Sequence, residues 1–298
     1  MATEWKRFPA HPKPREADEH IRLRAISLGA GVQSTAMALM AAAGELTPMP
    51  DLAIFADTGW EPKRVYDHLA ELEKKLPFPV HRVSAGNIRD DIMRQVGGDG
   101  VRTTGRAPCI PFFSVGHDGK AAPLTRQCTS HYKIKPILKK CREGLGLNPG
   151  QRSPRRPAVE MWIGISKDEA HRMKPAQQVW VKRRWPLIEK GMSRWDCLRW
   201  MEKHHHPRPG KSSCIGCPFH GDNEWREQRD QDPTAWADAV HVDAAIRDGI
   251  RRNAKGTLTG ALYLHRSLKP LDQVDLSTPA DRGQGDLFGN ECEGLCSV

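Results

Sequence analysis

The sequence predicts an α/β fold, a Rossmann-like and mostly parallel sheet with helices on both faces, joined to a helical, cysteine-bearing C-terminal region. Three observations predict it. Short apolar runs alternate with segments of helical spacing through the first hundred residues, as in parallel sheets whose crossovers are helices. The first apolar run, Leu23 to Leu28, passes straight into a glycine turn and an Ala/Met/Leu-rich helix, Gly29-Ala-Gly-Val-Gln-Ser-Thr35 onward. A fourth apolar run, Val159 to Ile165, follows much later in the same style.

Size and composition set bounds. A chain of 298 residues allows one large domain or a domain with a substantial appendage, and a net charge of +10 favours acidic partners such as nucleotides, sulfate or nucleic acid. No apolar run approaches the ~18 residues needed to span a bilayer, and residues 1–20 are charged and Pro-containing, without a signal core. A cytoplasmic setting without membrane attachment is the expectation. There the eight cysteines read as thiols, metal ligands or catalytic groups before they read as a disulfide framework.

In chain order, residues 1–20 form a flexible arm and residues 21–205 a nucleotide-binding α/β domain. Residues 206–280 form a C-x-x-C and helical region packed on it, and 281–298 a flexible cysteine-containing tail. Glycines at Gly29 and Gly31 permit a sharp turn and close approach of an anion to main-chain N–H groups. The following helix aims its positive end there, and Ser34 and Thr35 add hydroxyls. No Gly-Lys-Ser/Thr follows, so the loop is not of Walker type. The first helix runs to Ala43 and is closed by Gly44.

The second strand, Leu52 to Ala56, ends in Asp57-Thr-Gly-Trp60, which places Asp57, Thr58 and Gly59 at the carboxyl rim where such sheets bind ligands. Asp57 reads equally as a helix cap. Val65, Leu69, Leu72 and Leu76 mark a second helix, Val80 to Val83 a third strand, and Asn87 to Val96 a third helix. Gly97 to Arg126 is a long loop, of the kind found as lids or binding loops. It leads to a basic segment with Lys133, Lys135, Lys139, Lys140 and Arg142. Past the fourth strand, Asp168 and Glu169 suit a helix N-terminus, and Arg172 is a candidate phosphate or sulfate ligand. Val179 to Val181 is a short strand, Arg194 to Lys203 a helix, and His204 to His206 its polar end. Asp222 to Arg252 is helical, and Leu262 to Arg266 a possible strand.

Cys214 and Cys217 stand as C-x-x-C, a spacing that aims two thiolates at one ion or cluster, and Cys128 lies among cationic residues that favour a thiolate. Two readings stay open. A structural zinc could take Cys214, Cys217, His220 and one further ligand. An iron–sulfur cluster, 4Fe-4S in type, could take Cys128, Cys214 and Cys217 with Cys109 or a non-protein fourth ligand. Cys141 and Cys197 fall inside helices as small core residues. Cys292 and Cys296, on the acidic tail, are a mobile nucleophile and a resolving thiol, or incidental tail residues.

Several stretches together resemble the phosphoadenosine phosphosulfate (PAPS) reductase family of the adenine-nucleotide alpha-hydrolase, or PP-loop ATP pyrophosphatase, superfamily, including phage and bacterial members of unassigned role. They are Ser27-Leu-Gly-Ala-Gly-Val-Gln-Ser-Thr-Ala-Met37, Phe55-Ala-Asp-Thr-Gly-Trp60, Gln127-Cys-Thr129 with Tyr132-Lys-Ile-Lys-Pro-Ile137, Trp162-Ile-Gly-Ile-Ser-Lys-Asp-Glu-Ala-His-Arg172, Trp185-Pro-Leu-Ile188, and Ser213-Cys-Ile-Gly-Cys-Pro-Phe219. Their order is kept across residues 22–220. The resemblance implies an adenylyl nucleotide, PAPS or its unphosphorylated analogue (APS), or ATP with magnesium. Its diphosphate or sulfate would lie among Ser27, Gly29, Gly31, Gln33, Ser34, Thr35 and Gly164, with Asp57, Thr58 and Gly59 on the adenosine side.

It also supports the cluster. The family's Cys-Cys pair reads here Gln127-Cys128, so one ligand is lacking, as in the three-cysteine clusters of RNA-thiolating relatives, where one iron is left open for sulfide. Gln33 replaces the Asp of the pyrophosphatase loop, as in sulfonucleotide reductases. The tail, Glu291-Cys-Glu-Gly-Leu-Cys296, is similar to the reductases' Glu-Cys-Gly-Leu/Ile-His, with an inserted Glu and a Cys in place of His. Three functions follow as expectations. The first is reduction of a sulfonucleotide by the Cys292 thiolate, with Arg172 and Lys133 neutralising sulfate, Cys296 resolving and a thioredoxin-like thiol as reductant. The second is ATP-dependent adenylation and sulfur transfer (thiolation) onto a nucleic-acid or metabolite acceptor. The third is a zinc-stapled nucleic-acid-binding module without catalysis.

Overall fold

The computed structural model describes residues 20–97, 110–116, 118–253, 256–258, 260–277 and 281. Cys109, Cys292 and Cys296, together with the N-terminal arm, lie outside the described residues. The chain divides into two units that alternate along the sequence. One comprises Met1–Phe55, His68–His81 and Lys139–Gly210, the other Ala56–Asp67, Arg82–Leu138 and Lys211–Val298. Neither is a single stretch of chain, whereas the sequence suggests consecutive domains.

The elements begin β1 (Leu23–Ser27), α1 (Val32–Ala42), β2 (Leu52–Asp57), α2 (Lys63–Lys75), β3 (Val80–Ser84) and α3 (Ile88–Gly97). A hairpin of β4 (Phe113–Val115) and β5 (Ala121–Pro123) occupies part of the expected long loop. Then come a π-helical turn (Thr129–Ile134), α4 (Lys135–Gly144), β6 (Val159–Ile163), a 3-10 turn (Lys167–Arg172), β7 (Val181–Arg184), α5 (Pro186–Glu189) and α6 (Arg194–Lys203). The chain continues with α7 (Asp222–Gln231), α8 (Pro233–Ala245) and a hairpin of β8 (Ile250–Asn253) and β9 (Gly256–Leu258).

Strands β3-β2-β1-β6-β7 form a five-stranded parallel sheet in that order, an α/β arrangement of Rossmann type. β1 pairs with β2 and β6, Ser27 lying opposite Ile54 and Ile163, and β6 pairs with β7. All five residues of β6 are buried, as the centre of a parallel sheet requires. Its one acid, Glu160, accepts the Trp162 indole N–H at 2.9 Å. In α1 every residue from Val32 to Ala41 is buried, so an all-round apolar sequence became a core helix. At the start of α6, Ser193 and Asp196 close a capping box, and these hydrogen bonds, with Arg199, hold the Asp196 carboxyl down at about 2.

Three sequence expectations needed correction. The helix expected as far as Arg252 ends at Ala245, and the following residues turn into β8. Leu262 to Arg266 makes only one bridge, Tyr263 to Phe113. The strand near Val179 begins at Val181, where it gains β6 as partner.

The second unit has its own apolar core. Trp60, Ile88, Ile92, Phe112, Tyr132 and Trp225 pack with residues of α8 and of the 262–276 segment. Buried Asp243 ties that segment down, accepting the N–H groups of Leu264 at 2.7 Å and Leu271 at 3.0 Å.

Candidate functional site

In the first unit the strand order reverses beside β1, where β6 rather than the next strand in sequence lies alongside. Ligands of open α/β sheets bind at such a switch, beyond the strands' carboxyl ends. The loop after β1 and the loop after β6 meet there. A Cβ on Gly164 would lie 2.9 Å from both N and Cα of Ser34, so only glycine lets the two backbones approach this closely.

The turn itself is built differently from expectation. The left-handed residue is Ala30, φ 56°, and not Gly29 or Gly31. Gly31 is the extended N-cap of α1. Ser34 Oγ accepts the Gly29 N–H and donates to the Gly31 carbonyl, both at 3.2 Å. Thr35 is fully buried, its hydroxyl 3.0 Å from His68 Nε2. Both hydroxyls expected at an anion therefore serve the loop's interior, since buried polar groups take the nearest partner. What remains for an anion is the first-turn amides of α1 and its positive end, in a turn without an acid.

Gln33 is held three ways. Its Nε2 donates to Glu169 at 3.2 Å and Ser166 at 3.4 Å, and its Oε1 accepts from Arg194 at 3.0 Å. Arg172 donates to Glu169 at 2.7 Å. The expected sulfate ligand thus already has a carboxylate partner.

The second unit holds the thiols. Cys128, Cys214 and Cys217 all line one pocket, with Thr58, Arg126, Thr129, Lys133, Ser213 and Gly216 among its walls. Cys128 precedes the π turn, a kind of helical irregularity that recurs at functional sites. The C-x-x-C turn is closed by the Cys217 N–H, which donates to the Cys214 carbonyl at 3.1 Å.

The Asp57–Glu61 segment, expected beside adenosine, forms a wall of this cysteine site. Thr58 Oγ1 lies 3.2 Å from Cys214 Sγ and donates to Glu61 Oε1, also at 3.2 Å. Glu61 is buried, pairs with Lys133 at 3.5 Å and lies 3.7 Å from Cys214 Sγ, while its Oε2 has no hydrogen-bond partner among the described residues. Burial, and then the Glu61 charge, push the Cys214 thiol up, with Lys133 opposing. Asp57, the last residue of β2, closes a turn rather than capping a helix, accepting from the Gly59 N–H at 2.7 Å and the Tyr66 hydroxyl at 2.8 Å. Lys133, the other expected sulfate ligand, is likewise carboxylate-paired.

The donor set bears on which inorganic group it fits. A tetrahedral zinc with ~2.3 Å bonds to sulfur would bring its thiolates to within about 4 Å of one another. Among the described residues no three Cys, His, Asp or Glu side chains converge on one ion. His220, expected as a zinc ligand, is buried with Nε2 2.6 Å from the Ser213 hydroxyl, and burial lowers its pKa to about 3. Three soft thiols, Cys128, Cys214 and Cys217, line one pocket, the donor chemistry that thiophilic metals and iron–sulfur clusters take. The other two described cysteines, Cys141 and Cys197, are fully buried and pushed up to about 12, as core residues are.

Sequence reasoning did not assign Trp60, Glu61 and Ser213 to this site. The contacts of Trp60 and Glu61 with the C-x-x-C turn span more than 150 residues, so no local pattern marks them.

The fold defines a protein of α/β class with a glycine-containing turn after β1 in one unit and a thiol-lined pocket in the other. No family model matches the sequence, and no curated protein does. Among solved structures the chain is similar to phosphoadenylyl-sulfate (PAPS) reductase from Candida auris, solved as a phosphate complex. Identity is 12%, over 65% of this chain and 78% of that one, with a TM-score of 0.40. It is also similar to the U34-tRNA thiolase NcsA from Methanococcus maripaludis, solved with its 4Fe-4S cluster. Identity there is 15%, over 77% of this chain and 74% of that one, with a TM-score of 0.39. No helix among the described residues is long and apolar enough to cross a membrane.

Proposed function

We propose that this chain is an enzyme of sulfur chemistry that binds an adenylyl sulfonucleotide at the Gly29–Thr35 loop and holds an iron–sulfur cluster with Cys128, Cys214 and Cys217. One observation carries the reading: thiols from two distant segments open onto one pocket with Lys133 and Arg126. The first-turn amides of α1 take an oxyanion of the nucleotide. Gln33, fixed by Glu169, Ser166 and Arg194, keeps that turn in place.

The Cys292 thiolate supplies the attack on sulfur. A Cys292 S–S bond forms to the sulfonyl group, the bond from that sulfur to the phosphate oxygen breaks, and the electron pair leaves on AMP or its 3′-phosphorylated form. Cys296 then attacks the Cys292 sulfur, giving a Cys292–Cys296 disulfide and sulfite. The two electrons come from these thiols, and an external dithiol of thioredoxin type restores them. A bound cluster would be held by Cys128, Cys214 and Cys217 and would order the two segments that carry them.

A second reading, ATP-dependent adenylation of a nucleic-acid or metabolite oxygen followed by sulfur transfer, is favoured by the donor set. Gln127 stands where a fourth cysteine would be, which leaves one iron of a cluster without a thiolate from that position. Anaerobically purified protein incubated with PAPS or with ATP separates the two. Sulfite from PAPS supports reduction, and pyrophosphate from ATP supports thiolation. Protein free of iron and sulfide, releasing neither product, overturns both and leaves the nucleic-acid-binding module.

A further inference from the structure

We propose that Trp60 is the positioning residue of the Cys214–Cys217 turn, and that Asp238 on α8 sets its placement through the indole N–H. The proposal rests on the cluster reading for its consequence, but not for its geometry. Trp60 touches both residues between the two cysteines. Its carbonyl accepts the Ile215 N–H at 2.8 Å. Its ring lies against Gly216 so closely that a Cβ there would stand 2.1 Å from Cη2, 2.7 Å from Cζ3 and 2.9 Å from Cζ2. A core tryptophan needs neither contact to bury its area; together they fix the path of the chain between the thiols.

The ring is in turn oriented from outside the site. The indole N–H donates to Asp238 Oδ2 at 2.7 Å, while Arg89 on α3 donates to Asp238 Oδ1 through Nε at 2.7 Å and Nη2 at 2.6 Å. With the Arg89 guanidinium on Oδ1 and the indole N–H on Oδ2, each carboxylate oxygen has its own charge-assisted or neutral donor, and the carboxylate is held between them. Asp238 thereby acts on the cysteines through Trp60, as residues behind a metal ligand orient it. Displacing the ring, or adding a methyl at Gly216, moves the two sulfurs relative to one another.

The test compares Trp60→Ala, Trp60→Phe, Asp238→Ala, Gly216→Ala and the double variant Trp60→Ala with Gly216→Ala, all purified anaerobically. Iron and sulfide per chain and the electron paramagnetic resonance spectrum of the reduced protein are read, with circular dichroism as the check on folding. Deuterium exchange over residues 213–219 is read on metal-free protein. Trp60→Ala and Gly216→Ala are expected to retain at most a fifth of the wild-type iron, and Asp238→Ala about half with an altered spectrum. The double variant is expected to recover part of the loss, because removing the ring makes room for the added methyl. In the Trp60→Phe background, which has no indole N–H, Asp238→Ala is expected to add nothing.

Unchanged iron, spectrum and exchange in the three single alanine variants would overturn the proposal, as would a full additional effect of Asp238→Ala in the Trp60→Phe background. If wild-type protein itself holds no iron, the cluster reading fails separately. Faster exchange at 213–219 in Trp60→Ala and Asp238→Ala then still supports the positioning role, and unchanged exchange refutes it. Should Trp60→Ala fail to fold, the Trp60→Phe background and Asp238→Ala decide by the same readouts.

Discussion

The Gly29–Thr35 loop and the cysteine pocket are built on opposite principles. The loop is one short run of chain that offers backbone amides, fixed by a left-handed Ala30, by Ser34 bridging Gly29 and Gly31, and by Gly164 pressed against Ser34. The pocket draws on residues 58–61, 126–133 and 213–219, and its working groups are side chains. A backbone site tolerates changes of side chain but not of shape. A side-chain site tolerates neither the loss of a donor nor a shift of the elements that carry it.

The contrast breaks most visibly at the thiols. Cys214→Ser and Cys128→Ser are each expected to lose nearly all iron and sulfide from anaerobically purified protein, while Cys141→Ser keeps them. Full iron in Cys128→Ser would show that the two segments do not share one centre.

Next in size is the backbone site. Gly164→Ala sets a methyl 2.9 Å from the Ser34 backbone, which costs about 1–3 kcal/mol and lowers the urea midpoint by the corresponding amount. An unchanged midpoint would mean that the two loops part easily. Ala30→Gly relieves a left-handed alanine and is expected to stabilise by about 1 kcal/mol in the same assay. A loss of stability there would place the strain elsewhere.

The smallest effect is a slope. His68, beside buried Thr35, has its pKa lowered from 6.5 by burial first and by Lys75 second. The unfolded chain therefore takes up the proton first. Its contribution to stability is intact above about pH 6.5 and declines as pH falls towards the folded-state value. His68→Gln should flatten stability against pH in the acid range, and an identical slope would remove His68 from the balance.

Particular residues show what could be read in advance and what could not. The end of α1 at Gly44, the α6 range from Arg194 to Lys203, and the burial of Cys141 and Cys197 follow from local pattern and were legible. The turn after β1 was legible as a place, but that Ala30 rather than a glycine takes its left-handed conformation was not, since tertiary packing over-determines that turn. The Asp57–Glu61 segment was legible as the carboxyl end of β2 but not as a cysteine wall. The Thr58 and Glu61 contacts to Cys214 join residues more than 150 positions apart, and no periodicity encodes such a pairing. His220, whose spacing from Cys217 suggests a ligand, has its Nε2 against the Ser213 hydroxyl, a contact that the spacing does not announce.

The amino-acid sequence by itself determined the alternating strands and helices, the glycine-rich turn and the C-x-x-C pair, because each depends on residues within a few positions of one another. Tertiary structure alone decided that Thr58, Trp60 and Glu61 lie against that pair, and that Arg172 and Lys133 meet carboxylates. Those are matters of which surfaces meet when the chain closes its long loops, and the free energy that selects them comes from burial and charge pairing across the fold rather than from any short stretch of it.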